Sequence, residues 1–437
     1  MEKINPFAYF YFHLYLLQLE EYDLHRFLRL CFSQMVPKKT LRKPLVWTQK
    51  AILIAALAVS IIGLLTILSP YFLLMFYVSF VPIACATYIL QPLDRYLKHK
   101  LITQAKLKLS RFPHLEIVGI AGSYGKTTMK EILATMLAEK YKVLKTPENI
   151  NTPLGIARLI MSSLDETIKV FIVEMGEYTR GDISDICSFV KPQTAVITGI
   201  NEAHLERMGS LENTTAAIFE LAQHMNQEGL LVLNGDNALI RDNYHKFCTK
   251  QKIELVSSKK ETTLKSGLLG NYAKGMLQAG AHIARYLGLT EEEIQKGALA
   301  VKPLPHRLEP IEGARGVLVI DDSYNGNPEG VLEAIHVLDT YTGRRKVFVT
   351  PGLVETGDKN ESVHKTIGKE LSSVADKVVL IKNSATPHIA HGLIEHGFAE
   401  RNILWFGSAS EAHAAMGAII EPNDVVLFQN DWPDNYQ

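Results

Sequence analysis

The chain has 437 residues, 47% of them hydrophobic and 21% charged, and its 46 basic side chains balance 46 acidic ones. That length divides into two or three domains, and the balanced charge excludes a chain drawn to polyanions by its overall field, so no nucleic-acid partner is expected. The 4 cysteines, Cys31, Cys85, Cys187 and Cys248, stand far apart without paired spacing, which gives no support to a disulfide framework or a cysteine metal site.

The first element is the aromatic stretch Phe7 to Arg29, where leucines and aromatics mix with Glu20, Glu21, Asp23 and Arg26. Two readings are open: a helix lying at a membrane interface, or a helix packing on the globular part. Next come Ala51 to Leu68 and Tyr71 to Leu90, both without a charged residue and separated by Ser69-Pro70. Each is long enough to span a bilayer as a helix. Lys38, Lys39, Arg42, Lys43 and Lys50 precede the pair, and Arg95, Lys98, Lys100, Lys106 and Lys108 follow it. Basic flanks on both sides predict a transmembrane hairpin with both ends cytoplasmic. This places the chain at the cytoplasmic membrane with its remaining domains in the cytoplasm. The competing reading is a buried apolar hairpin in a soluble protein. A cleaved signal peptide fits poorly, because the apolar run is doubled and begins far from the amino terminus.

Beyond about Lys106 the pattern changes to short β-branched runs alternating with amphipathic stretches, the signature of a parallel sheet with crossover helices. The run Leu115 to Ala121 leads into Gly122-Ser123-Tyr124-Gly125-Lys126-Thr127-Thr128 and then a helical stretch. Glycines let backbone N–H groups wrap phosphate, Lys126 reaches β and γ oxygens, and the Thr127 hydroxyl suits Mg2+. The bland alternative is a glycine-rich turn that lets strand and helix pack. Further strands are expected at 142–146, 169–176, 194–200 and 229–235. Glu174 closes one of them and His204 follows another, where parallel sheets place their sites. A carboxylate beside phosphate suits Mg2+, and an imidazole completes coordination or contacts phosphate. Taken singly, Glu174 reads equally well as a surface or capping acid and His204 as a loop residue. A second set of strands, at 316–322, 346–351, 377–382, 403–406 and 424–429, predicts a second parallel α/β domain.

Residues 115 to 430 resemble the Mur ligase family. The phosphate loop matches at AGSYGKTT, the asparagine-rich segment at TPENINTPLG with Asn149 and Asn151, and two further motifs at Glu174-Met-Gly and Ala-His204-Leu-Glu. Arg307 in PHRLE matches the family's hinge arginine. Asp321-Asp322-Ser323-Tyr324-Asn325 resembles the corresponding block of the subgroup that adds D-alanyl-D-alanine, as does VTPGLVETG with Glu355. The resemblance implies an α/β fold with a P-loop central domain (105–308) and a C-terminal Rossmann-like domain (309–437), preceded by a membrane region (1–104).

The chemistry implied is formation of an amide bond: ATP, with Mg2+, phosphorylates a substrate carboxylate, and an amine attacks the acyl phosphate. Lys126 and Arg307 would hold phosphate, Thr127, Glu174 and His204 metal, and Gly122, Ser123, Gly125, Thr128, Asn271, Asp322 and Asn325 the nucleotide. Asn149 and Asn151 would face the substrate. Ile218 stands where the family has a metal-bridging lysine two residues before Glu220, and Ala273 where it has an adenine-contacting asparagine, leaving that contact to Asn271. No counterpart of the family's UDP-holding amino-terminal domain is read, which points to a muramoyl-peptide or lipid-linked acceptor, a D-alanyl-D-alanine-like amine and other envelope-synthesis enzymes as partners. A γ-glutamyl chain extender and a catalytically silent nucleotide-binding scaffold are the alternatives.

Overall fold

A computed structural model describes residues 5–33, 44–148, 150–201, 208–248, 250–324, 326–353, 356 and 359–429. The chain divides into two units, Met1–Thr103 and Gln104–Gln437.

The first unit is helical. Asn5 caps the helix Pro6–Leu19 by accepting from Phe7 N–H at 3.0 Å, and the helix stops before Glu21 and Tyr22, which take positive φ of 54° and 65°. A second helix, Leu24–Ser33, follows. Leu14, Leu17 and Phe27 from this pair are fully buried and pack with Ile54, Ala58 and Ile83. The aromatic stretch is therefore a packing element within its own unit.

Thr48 caps the helix Gln49–Leu68 through Ala51 N–H at 3.1 Å, and this helix is long and apolar enough to cross a membrane. The stretch 71–90, expected as one helix, is instead two: a 3-10 segment Pro70–Phe76 and a helix Phe80–Leu109, bent by 83°. The break follows from local chemistry. Ser79 is drawn inward by His13, its hydroxyl 2.8 Å from Nδ1, and Pro82, which lacks an N–H, belongs in a first helical turn. Lys50 and Lys98 hold Asp94 at 3.1 and 2.9 Å, tying the start of one apolar helix to the later part of the other.

The second unit carries two sheets. The first has order β2-β3-β1-β4-β5-β6, all parallel: β1 Glu116–Ala121, β2 Val143–Lys145, β3 Val170–Glu174, β4 Thr194–Ile197, β5 Leu230–Asn234 and β6 Lys252–Val256. Its central strands β3, β1, β4 and β5 are apolar on both faces because helices cover both, and Val118, Ile120, Ile172 and Val232 pack against the helices Lys126–Leu137, Asn271–Tyr286 and Glu291–Ala300. The chain winds from β1 outward to β2, returns through β3, and crosses β1 to reach β4. The crevice at the carboxyl ends of β3, β1 and β4 is therefore the topological switch point, where open α/β sheets bind ligands.

The second sheet has order β11-β10-β9-β12-β8-β7: β7 Glu309–Glu312, β8 Leu318–Asp322, β9 Lys346–Thr350, β10 Lys377–Ile381, β11 Ile403–Phe406 and β12 Val425–Gln429. It is not wholly parallel as the sequence suggests, because β7 runs antiparallel to β8. The connection leaves no room for a crossover. Gly313 N–H donates to Val317 carbonyl at 2.8 Å, and Arg315 and Gly316 turn the chain with φ of 57° and 74°.

Candidate active site

The phosphate loop leaves β1 at its carboxyl end. Gly122 has φ 142°, and a Cβ there would lie 2.3 Å from the Thr198 hydroxyl; Gly125, at φ 79°, is the cap of the helix Lys126–Leu137. Ser123 N–H donates to Gly199 carbonyl at 2.8 Å, and the Thr198 hydroxyl bonds to Tyr124 carbonyl, so the end of β4 braces the loop. Thr127 lies half-buried in the first helical turn and Thr128 is buried behind it.

Two lysine–carboxylate pairs form beneath this loop. Lys126 Nζ donates to Gly122 carbonyl and to both oxygens of Glu177, at 2.9 and 3.0 Å. One turn on, Lys130 Nζ donates to Glu174 Oε2 at 2.8 Å, with the lysine 1% and the glutamate 6% exposed. Glu174 ends β3 and its N–H bonds Thr146 Oγ1 at 3.0 Å, which sets the side chain's direction. Glu177 is 2% exposed; burial pushes its carboxyl up, against the pull of Lys126, with Glu174 adding to the rise. Asn151 is held beside this segment. Its carbonyl accepts from Gly176 N–H at 2.8 Å, and a Cβ on Gly176 would come within 2.9 Å of its side-chain amide.

The second sheet contributes from the carboxyl end of β8. Asp322 Oδ1 accepts from Leu308 N–H at 3.2 Å, and its carboxyl is pushed up to about 7, mainly by burial and also by Asp321, against the pull of Leu308 N–H and Arg307. Asp321 Oδ2 lies 2.7 Å from His306 Nδ1. His306 and Leu308 both have positive φ, 62° and 47°, so the two aspartates pin both strained residues flanking Arg307. The Arg307 guanidinium lies over the Tyr324 ring, 4.7 Å from its centre.

The two sheets meet at the site. Asn201, just past β4, donates from Nδ2 to Glu329 Oε2 at 3.3 Å. Asn271 donates its backbone N–H to Glu333 and its Oδ1 accepts from Lys274 at 3.1 Å, while Tyr272 packs into the core of the second sheet. Asn271 thus sits at the junction of the sheets. Ala273 is buried, and Ile218 is fully enclosed in the core. Glu220 caps the helix Asp182–Val190, accepting from Gly181 and Ser184 N–H groups at 2.8 and 3.1 Å. That carboxylate at a helix N-terminus is a structural group.

Lys126 and Asn151 both meet the segment Glu174 to Glu177, through Glu177 and Gly176 respectively, and Arg307 and Asp322 share the end of β8. Asn149, His204, Asn325 and Glu355 lie outside the described residues. Sequence reasoning passed over Lys130, Glu177, Thr198 and Asn201. The signal for the first two was present: a lysine one helical turn after Lys126, and a second acid three residues after Glu174.

A metal fits the donor set, which offers carboxylate and hydroxyl oxygens suited to Mg2+. Among the described residues no three His, Cys, Asp or Glu side chains form a metal cluster. Such a metal would rely on substrate phosphates to complete its shell, as Mg2+ in phosphoryl-transfer sites does.

Residues 120–275 match the Mur ligase middle domain and residues 306–429 the Mur ligase glutamate ligase domain. The chain is 26% identical over 332 residues to the UDP-N-acetylmuramoyl-tripeptide--D-alanyl-D-alanine ligase of Bacillus subtilis, covering 72% of each chain. It is 28% identical to the enzyme of the same name from Escherichia coli, covering 66% of this chain and 69% of the other. Among solved structures it resembles the MurF ligase of Thermotoga maritima in complex with ADP, with TM-score 0.65, 24% identity and 76% and 80% coverage. MurF from Acinetobacter baumannii gives TM-score 0.66 at 22% identity, covering 76% of this chain and 77% of that one.

Proposed function

This chain belongs to the Mur ligase family, and from that premise we propose that it is an ATP-dependent ligase that joins D-alanyl-D-alanine to a muramoyl tripeptide in peptidoglycan synthesis. The observation that carries the reading is the phosphate loop at the switch point, with Lys126 at a helix N-terminus and, past the end of β4, Asn201 bonded to Glu329 of the second domain.

The reaction puts charge on the transferring phosphoryl group, so the protein's part is neutralisation and positioning more than covalent chemistry. Lys126 neutralises β and γ oxygens, and the Thr127 hydroxyl with the acidic segment Glu174 to Glu177 would hold Mg2+, which supplies further positive charge to the phosphates. Asn149 and Asn151 are assigned to the acceptor. Arg307, on the strained link before β7, stabilises the acyl phosphate, while Asp322 and Asn325 hold the nucleotide from the second sheet. His204 is assigned to the phosphate side with a metal or the acyl phosphate. Closure of one sheet domain on the other excludes water from the acyl phosphate, which water would otherwise hydrolyse.

The first unit is read as a membrane anchor, with the ligase domains in the cytoplasm. In support, Leu64, Ile67, Leu68, Leu73 and Leu74 are each more than half exposed on an uncharged stretch. A monomeric soluble surface does not ordinarily carry so continuous an apolar area. Tethering at a membrane favours a lipid-linked acceptor over a soluble one. Mass spectrometry of the product, with UDP-linked and detergent-solubilised lipid-linked muramoyl tripeptide in competition, tests this. Preference for the lipid-linked acceptor is expected, and exclusive use of the UDP-linked one overturns the tethering argument while leaving the ligase assignment intact.

A further inference from the structure

The amino edge of the first sheet, opposite the phosphate loop, carries a concavity of its own. β1 and β3 run parallel, so Glu116 and Val170, their first residues, lie side by side there. A cavity of about 580 Å³ opens beside them, lined also by His114, Tyr141, Lys169, Tyr286 and Leu287. The Tyr141 hydroxyl donates to the Leu287 carbonyl at 2.5 Å. Among the described residues, the side chains of Lys169, Glu116, His114 and Tyr286 make no hydrogen bond or ion pair. An acid and a base that line one cavity without closing on each other leave both signs of charge to a ligand. On a convex surface such groups are simply solvated. Here they share a pocket of ligand size with two tyrosine rings.

That lining suits a zwitterion bearing a phosphate and an ammonium. Lys169 and the His114 ring N–H suit phosphate oxygens, the first as a charge-assisted donor. Glu116 suits an ammonium, to which the faces of Tyr141 and Tyr286 would add cation–π attraction. The course of the chain says where such a group comes from. The helix Phe80–Leu109 begins in the uncharged stretch and delivers the chain to β1 at Glu116. At its end Leu107 and Met161 expose apolar side chains, and Lys108 ties the two segments by donating to the Met161 carbonyl at 3.0 Å. We propose that the cavity at the amino edge binds the headgroup of an ethanolamine-type aminophospholipid from the bilayer that holds the first unit. The proposal rests on the membrane reading of that unit and deepens it. The lipid gives the two-sheet unit a second attachment at the edge away from the phosphate loop, which stays open to nucleotide.

The test is native mass spectrometry of the full chain released from detergent micelles, after equilibration with equal amounts of phosphatidylethanolamine, phosphatidylcholine and phosphatidylglycerol. Wild type is expected to retain phosphatidylethanolamine over each of the others by about threefold or more, the scale of one partly exposed ion pair. Phosphatidylglycerol keeps the phosphate and lacks the ammonium, so Glu116→Gln should erase the preference over it. Lys169→Gln should lower retained phosphatidylethanolamine by about threefold. Lys250→Gln, on an exposed lysine outside the cavity, should change neither. Should either cavity variant melt below wild type, acetylation of Lys169 in the wild-type chain decides. Slower acetylation with phosphatidylethanolamine than with phosphatidylglycerol supports the proposal, and equal rates overturn it. Equal retention of the three lipids by wild type, or a preference that survives both cavity substitutions, overturns the proposal and leaves the membrane reading standing. Retention of no lipid at all overturns the membrane reading with it.

Discussion

Two lysines one turn apart on a single helix do different work. Lys126 is placed to be shared with a ligand, whereas Lys130 is buried with Glu174 as a fixed pair. Removing one partner of such a pair leaves the other charge uncompensated, so Lys130→Met should destabilise the fold by about 3–5 kcal/mol. Adding Glu174→Gln to that variant should recover a large part of the loss, measured by denaturant unfolding of both proteins beside wild type. Asp322 gives a pH signature. Its folded carboxyl sits at about 7, above the ordinary value near ~3.9, so the folded state favours the protonated form. The stability this contributes is full below about pH 4 and is lost as pH rises through about 7. Asp322→Asn, without nucleotide, should therefore melt with wild type near pH 4 and increasingly above it toward pH 8; parallel melting curves across that range would contradict the account. At this scale the sequence revealed residue types and order but not partners. Lys126 was legible because the loop motif fixes its place. Glu177 could be seen as a second acid after Glu174, but its partner could not, because only the return of β3 beside β1 brings it under the loop, and nothing in the local spacing says which acid meets which lysine.

Secondary elements were more legible than contacts. The apolar runs that became β1 to β5 and β8 to β12 stand out because parallel strands are buried on both faces. β6 and β7 were missed for a common reason: each lies at a sheet edge, is largely open to solvent and carries charged residues, so it lacks the continuous apolar run. The uncharged stretch 71–90 shows the reverse failure. Composition reads it as one helix, but Ser79's tie to His13 and the placement of Pro82 break it in two. Helix packing supplies a prediction that propensity alone gets wrong. Gly297 lies inside the helix Glu291–Ala300, where alanine normally gains about 1 kcal/mol. Here a Cβ would sit 2.7 Å from the Met136 backbone, so the neighbouring helix must shift. Gly297→Ala should cost a net of about 1–3 kcal/mol in thermal or denaturant unfolding. A more stable variant would show that the two helices pack less closely than this.

At the scale of the whole molecule, the chain combines a helical unit that exposes apolar surface with a two-sheet unit that builds a phosphate site. The sequence announced this division through the change from uncharged runs to alternating strands and helices. The membrane reading predicts that the full chain stays with the membrane fraction after an alkaline carbonate wash, as spanning proteins do; release into the wash would contradict it. The family reading makes the stronger demand, since it requires that ATP be consumed only when there is a bond to form. The most direct measurement is ADP release by the full chain with a muramoyl tripeptide and D-alanyl-D-alanine supplied separately and together, beside Lys126→Ala. The account predicts ADP and the new amide in equal amounts only when both substrates are present, and neither from the variant. ADP release that ignores the dipeptide, or bound nucleotide with no turnover on either acceptor form, would contradict it.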